Sequence, residues 1–333
     1  GQTTVPPELD GVVAIAAGEY HSLALKANGT VVAWGDNVYG ESNVPAGLDG
    51  VTAIAASGHH SLALKSDGTV VAWGDNNFGQ SNIPAGLDGV TAIAAGTIHS
   101  LALKSDGTVV AWEANNSGQS NVPPGLDGVV EIAAGIGHSL ALKANGTVVA
   151  WGDNTFSQTT LPPGLDRVVA IVAGPIHSLA LKSDGTFVGW GENTFGQASV
   201  PAGLVGVTAI AAGMRNSLAL KADGTIVNLG TNAYGQLNMP GDNRLSGLTV
   251  QGGGLNPAFS PSVTEYTYYI GPSVSSVNIT ATLADAASAE LYVDNKPHPS
   301  GTVATVSISG ASTVIPVRVE PYLKPPRTYT ITV

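Results

Sequence analysis

The chain has 333 residues, 43% of them apolar and 11% charged, with no cysteine and a net charge of −11. The missing cysteines exclude disulfides, thiolate nucleophiles and Cys-ligated zinc, and an acidic chain without Arg clusters is a poor partner for nucleic acid. No apolar run reaches the roughly 18 to 20 residues that a membrane-spanning helix needs, so no membrane insertion is expected.

The first eleven residues, GQTTVPPELDG, match Gly40–Gly50, GESNVPAGLDG, which is the tail of a repeat. A chain that opens inside a repeat, and with Gly1 in place of Met, reads as a processed or excised piece of something longer. Six copies of one unit follow, at 12–50, 51–89, 90–128, 129–167, 168–206 and 207–242. Trp34, Trp73, Trp112, Trp151 and Trp190 fix the period at 39 residues, and the sixth copy has Leu229 in their place. A period of this size means a solenoid, a propeller or an array, because one unit cannot bury its own face.

Each copy is predicted to form three short strands, which in the first are Val12–Ala17, Ser22–Lys26 and Thr30–Trp34. Asn28-Gly29 and its counterparts, such as Asp67-Gly68, fall between the second and third runs, the strongest short signal for a hairpin. A tail rich in Gly, Pro and Asn follows, with room for a fourth short strand at Ser42–Val44. Small residues recur at Ala14, Ala16, Ala17, Ala24 and Ala33, as expected where strands crowd around an axis. The sixth copy departs from the pattern with Asn216 for His, Asn228 for Ala and Thr231 for Asp.

The period stops at Leu245, and the charge balance changes there as well. Residues 1–243 carry 19 acidic and 8 basic side chains, whereas 244–333 carry 5 of each. Seven predicted strands, Leu248–Gln251, Tyr266–Ile270, Val277–Leu283, Glu290–Val293, Val303–Ser309, Val314–Val319 and Tyr329–Val333, read as an antiparallel sandwich. The expected fold is therefore all-β, with a six-bladed β-propeller over residues 1–243 followed by a small β-sandwich over 244–333. Seven blades is the alternative, if the opening tail and the sixth copy combine. The short linker Gly241-Asp242-Asn243-Arg244 implies limited freedom between the two domains.

The run from Ala16-Ala17-Gly18 through His21-Ser22-Leu23-Ala24-Leu25 to Asn28-Gly29, Trp34-Gly35 and Gly40 resembles the repeat of the regulator of chromosome condensation family. With its VPAGLDG-like tail, it is more similar still to the secreted propeller-type β-lactamase inhibitor proteins. The resemblance covers about residues 1–242 and implies a closed propeller, usually seven-bladed, that serves as a protein-binding platform. Leu245, Leu248, Gly254-Leu255, Pro257, Phe259-Ser260-Pro261, Tyr266 and the closing Tyr329–Val333 resemble the cadherin-like β-sandwich domain of bacterial surface proteins. That resemblance implies an extracellular, non-catalytic module.

Candidate chemistry is sparse. His21, His60, His99, His138 and His177 recur once per copy, so a propeller spreads them around a ring and does not converge them on a metal. They are expected to be structural, with ring nitrogens bonded to neighbouring backbone. The adjacent serines, Ser22 to Ser217, lack an orienting acid, and six interchangeable copies do not make a triad. Asp36, Asp75, Asp153 and Glu192 supply too few oxygens per copy for calcium and are expected to cap their loops. No catalytic residue, metal site or cofactor is predicted.

The functional signal lies where the copies disagree, just after the first strand: Glu19-Tyr20, Gly58-His59, Thr97-Ile98, Ile136-Gly137, Pro175-Ile176 and Met214-Arg215. In an antiparallel order these loops share one face with the loops after the third strand. Variable loops on a constant frame are how repeat scaffolds build binding surfaces. Glu19, Tyr20, His59, Ile98, Ile176, Met214 and Arg215 are the candidate binding residues. Tyr39, Phe78, Phe156, Phe195 and Tyr234 recur too regularly and are expected to pack between blades. The expected function is a secreted or surface-exposed bacterial module that binds a protein or glycan. The alternatives are a self-assembling structural subunit and a proteinaceous enzyme inhibitor.

Overall fold

Strand-forming runs of five to seven residues, punctuated by glycine turns, fold each repeat into one three-stranded antiparallel sheet. The computed structural model describes residues 1–231, 245–252, 254–261, 263–270, 274–284, 289–309, 312–321 and 326–333. No helix occurs among them. The chain divides into two compact units, Gly1–Thr231 and Asn232–Val333. The sequence-based boundary at 243/244, the linker beside it and Tyr234 lie outside the described residues.

In the first blade the inner strand is Val12–Ala17, the middle one His21–Lys26 and the outer one Val31–Gly35. The other five blades repeat this order, ending with Val207–Ala212, Asn216–Lys221 and Ile226–Gly230. Each inner strand carries a bulge near its start, between Val12 and Ala14 in the first blade. The middle-to-outer hairpin turns on glycine alone: Gly29 sits at φ +80° while Asn28 stays right-handed and its side chain accepts from the Thr30 amide at 3.1 Å. The asparagine is there as a cap, since only one position of this turn is left-handed. The described tails, those of the first five repeats, form turns and no fourth strand; in the first, the Asn37 side chain engages the Ser42 amide at 3.0 Å and Asn43 at 2.8 Å, leaving no ladder to join.

Apolar clusters sit between successive blades. Leu23 and Leu25 of the first blade pack with Val51, Ala63 and Trp73 of the second, and four further clusters repeat the arrangement through to Leu179, Leu181, Val207 and Leu229. Full burial of one such leucine stabilises by about 1.5 to 3 kcal/mol, so these junctions are the main source of cohesion. The tails of the first five repeats are each stitched into the following junction. The Glu41 carbonyl accepts from Trp73 Nε1 at 2.9 Å and from Ser61 Oγ at 3.2 Å, joining the end of one repeat to the outer and middle strands of the next. Gln2 does the same for Trp34 and Ser22, at 2.9 and 3.0 Å. Among the described residues, the opening tail's hydrogen bonds reach the first blade and none reaches the sixth.

The second unit has two sheets around one core. Leu245–Val250, Ser276–Leu283 and Val303–Ser307 form the smaller. Glu265–Thr267, Arg327–Thr332, Val314–Pro321, Ala289–Val293 and Lys296–Pro297 form the larger, in that spatial order. Leu248, Ile279, Ile315, Val317, Tyr329 and Ile331 fill the space between them. Seven of these eight strands match the runs read from sequence. The pairing of Glu265–Thr267 with Arg327–Thr332 is parallel, and the other pairs are antiparallel.

Candidate loop-face binding site

The inner strands end on a central cavity of about 380 Å³ to which all six blades contribute, from Ala17 and Glu19 in the first to Ala212 and Met214 in the sixth. Its walls are mostly alanine and glycine, because six inner strands converge there. Glu19 is the one charged residue among those lining it. Its only other side-chain polar groups are the Ser57 and Thr97 hydroxyls, on the second and third blades.

The histidines of the first five blades lie behind this wall, fully buried, four of them with the ring against a glycine (Gly18, Gly96, Gly135 and Gly174), where the second blade has Ser57; a Cβ added at Gly96 would meet His99 Nδ1 at 2.6 Å. Their bonding differs from the backbone contacts expected from sequence. His21, His60, His99, His138 and His177 each bring Nε2 to within 2.9 or 3.0 Å of the serine hydroxyl on the next blade: Ser61, Ser100, Ser139, Ser178 and Ser217. Each of those serines faces the tail carbonyl of the histidine's own repeat, as Ser139 does with Gln119 at 2.9 Å. The histidine and serine that touch belong to different blades and both are buried, so no substrate reaches the pair.

Inner-to-middle and outer-to-tail loops emerge at the same end of each blade. The Asp36 amide donates to the Tyr20 carbonyl at 2.8 Å, and the Asp75 amide to that of His59 at 2.8 Å. Tyr20 is 45% exposed and stacks on His59 of the second blade, centroids 5.8 Å apart with 27° between planes. The Tyr39 ring also lies against His59, centroids 5.0 Å apart and tilted by 55°. On the sixth blade Arg215 rests 4.6 Å over the Phe195 ring of the fifth. Met214 is half-exposed beside it, and Glu19 is exposed at the cavity rim, its amide donating to the Gly58 carbonyl at 3.0 Å. Ile98 and Ile176 are half-buried on the third and fifth blades and join neither cluster.

Tyr39, Phe78, Phe156 and Phe195 are 42 to 54% exposed, not packed between blades as their regularity implied. The tryptophans of the outer strands already fill the junctions, which leaves these rings on the loop face. Their position in an Asn-rich loop, outside any strand, was the signal available in the sequence.

Among the described residues, one group of side chains could hold a cation. Asp36, Glu41 and His59 offer ligand atoms within 4.8 Å of one another. Glu41 is fully buried, stands where the other five repeats have glutamine, and faces His59 Nδ1 at 3.4 Å and the Tyr39 amide at 2.8 Å. In the second and fourth repeats that glutamine donates to the loop aspartate, Gln80 to Asp75 at 3.1 Å and Gln158 to Asp153 at 3.0 Å. Glu41 cannot donate in this way, and both its oxygens are engaged by protein groups.

Residues 12–41, 51–80, 129–158 and 168–197 match the regulator of chromosome condensation (RCC1) repeat, and residues 245–333 match the cadherin-like beta sandwich domain. The sequence has no match among curated proteins. Among solved structures, Prp20p from Saccharomyces cerevisiae, described with its binding to Gsp1p and histones, superposes with a TM-score of 0.57 at 24% identity, covering 66% of this chain and 72% of its own. The ectodomain of the receptor kinase CR4 from Physcomitrella patens gives 0.56 at 26% identity, covering 67% and 62%. The ectodomain of the receptor kinase ACR4 from Arabidopsis thaliana gives 0.56 at 22%, covering 68% and 82%. The chain therefore carries RCC1 repeats, folded as the six three-stranded blades of a β-propeller, followed by a cadherin-like β-sandwich domain.

Proposed function

We propose that the protein is a non-catalytic binding module that takes a protein partner on the loop face of its propeller, with Tyr20, Tyr39 and His59 at the centre of the contact. The observation that carries this reading is the aromatic cluster across the first two blades, in which the exposed Tyr20 and Tyr39 rings are already held against the half-buried His59 ring. Side chains with few rotors that are held before binding lose little entropy on contact, and Tyr and Arg dominate interface energetics. Arg215 on Phe195 supplies a second anchor. The alanine- and glycine-rich cavity wall, with Glu19 as its one charged residue, and the inaccessible His–Ser pairs favour binding over catalysis.

A secreted or surface-exposed bacterial setting belongs to the same proposal. Its support is the likeness of the repeats to secreted propellers and of the sandwich to domains of surface proteins. Two of the similar solved structures are ectodomains.

The test is affinity capture from native surroundings with the full chain as bait, followed by mass spectrometry and a binding assay with the captured protein. Tyr20→Ala and Arg215→Ala are expected to weaken binding by roughly 1 to 2 kcal/mol each without unfolding the chain. Lys65→Ala, at the opposite end where Lys65 pairs with Asp49 at 3.3 Å, is expected to do little. An equal loss in all three variants refutes the face. Capture of one soluble enzyme that the chain inhibits assigns the module to inhibition.

A further inference from the structure

Two departures from the repeat meet at one blade junction. Glu41 closes the first repeat's loop where the others have Gln80, Gln119, Gln158, Gln197 and Gln236, and His59 is the one histidine at the variable position after the inner strand. In the second repeat the Gln80 oxygen accepts from the Phe78 amide at 2.9 Å while its nitrogen donates to Asp75, and Gln158 bonds in the same way. Glu41 keeps the first of these contacts, accepting from the Tyr39 amide on Oε2. Its other oxygen takes the place of the donor nitrogen, and the loop aspartate it meets, Asp36, can only accept as well.

A buried carboxylate beside a second carboxylate needs a positive charge to offset it. His59 Nδ1 approaches Glu41 Oε1 at 3.4 Å, longer than the roughly 2.7 to 2.9 Å of a charge-assisted N–H···O bond. It is the separation of two ligands on one zinc ion: bonds of about 2.0 to 2.2 Å at a tetrahedral angle put the ligand atoms about 3.4 Å apart. Ligand atoms of Asp36, Glu41 and His59 all lie within 4.8 Å of one another. Asp36 engages the Asn37 amide through Oδ1 at 2.8 Å, which leaves Oδ2 for an ion. Tyr20 and Tyr39 hold the imidazole in place, and Asp36 and His59 are only half-buried, so solvent can supply a fourth ligand.

We infer that Asp36, Glu41 and His59 form a zinc site that clips the first repeat's tail loop to the second blade. One imidazole nitrogen and two carboxylate oxygens are too few for calcium, and the nitrogen is a poor ligand for magnesium, whereas zinc accepts both atom types at nearly the same distance. With a neutral imidazole the three ligands carry two negative charges, which the ion cancels where Glu41 has no solvent to do so. Zinc displaces only the long Glu41–His59 contact and leaves the Tyr39 amide on Oε2. The ligands come from two repeats and do not recur as a set, so comparing the repeats one by one in the sequence does not bring them together. This site goes beyond the partner contact proposed above and is filled in the chain alone.

The experiment titrates Zn²⁺ into the full chain after chelator treatment, followed by calorimetry and by Tm. One-to-one binding with a rise in Tm is expected. Glu41→Gln, which copies the other five repeats, and His59→Gln, at a position that varies among them, are each expected to weaken binding at least about tenfold and to remove the rise. Circular dichroism of the metal-free variants checks that both are folded. Ca²⁺ and Mg²⁺ are expected to leave Tm unchanged. The zinc site is refuted if the parent chain shows no saturable binding, or if both variants bind as tightly as the parent, which puts the ion at another histidine such as His298. A metal-free Tm that Glu41→Gln lowers, in a parent that does not respond to zinc, reduces the contact to a Glu41–His59 ion pair and overturns the site as well. An equal response to Ca²⁺ does the same.

Discussion

His60 Nε2 on the second blade lies 3.0 Å from Ser100 Oγ on the third, and that oxygen is 3.3 Å from the Gln80 carbonyl. The carbonyl can only accept, so the hydroxyl proton points to it and the imidazole donates from Nε2. This assigns one tautomer to the ring and leaves Nδ1 without a partner, as it is in all five histidines. Burial holds His60, His99, His138 and His177 down at about 4 and also lowers His21.

An acid-labile fold follows from that arrangement. Each folded-state pKa lies below the unfolded value of 6.5, so the unfolded chain takes up protons first as pH falls. The histidines' contribution is complete above about pH 6.5 and is lost progressively towards pH 4. The propeller's Tm, followed by circular dichroism, is expected to drop across that window. His138→Asn, which copies the residue natural at position 216, is expected to lower Tm at pH 7 and to shallow the drop. A Tm independent of pH between 6.5 and 4 refutes the buried neutral ladder.

Why the fold was legible in the sequence, and the site only partly so, is visible in particular residues. A fixed spacing of tryptophans and an Asx-Gly pair between two apolar runs each have one main structural solution, so strands and blades could be read directly. The histidine partners could not be read, since His60 and Ser100 meet only through the angle between successive sheets. Regular recurrence was also a poor guide to burial: Trp73 and Phe78 recur with the same period, yet one is 7% and the other 54% exposed.

In the second unit, Tyr329 ties two segments that no strand ladder joins. Its hydroxyl accepts from the Leu245 amide at 3.0 Å and faces the Pro261 carbonyl at 3.1 Å, and the residue is fully buried. Tyr329→Phe keeps the ring and leaves both backbone groups unpaired, a loss of about 1 to 3 kcal/mol. Urea denaturation of the full chain is expected to show this as an earlier sandwich transition, with faster exchange of the Leu245 amide. An unchanged transition means that those backbone groups find other partners.

Glu113 breaks the pattern of the outer strand and offers the most direct gain in stability. The equivalent positions are Gly35, Gly74, Gly152, Gly191 and Gly230, all at φ between +93° and +113°, and Glu113 is held at +94°. A Cβ is poorly tolerated there: at Gly74 it would lie 2.5 Å from the His59 carbonyl. Left-handed backbone costs a non-glycine residue about 1 to 2 kcal/mol. Burial also pushes the Glu113 carboxyl up to about 8, and its Oε2 has no partner. The folded-state pKa lies above the unfolded value, so as pH rises from about 4.5 the unfolded chain ionises first. The stability present below about pH 4.5 is lost as pH rises towards 8. Glu113→Gly is therefore expected to stabilise the propeller by about 1 to 2 kcal/mol at pH 5 from strain relief, and by more at pH 8. Urea denaturation of both proteins at the two pH values measures this. An equal gain at both means that the carboxyl is solvated, and no gain at either means that the neighbouring backbone absorbs the Cβ without strain.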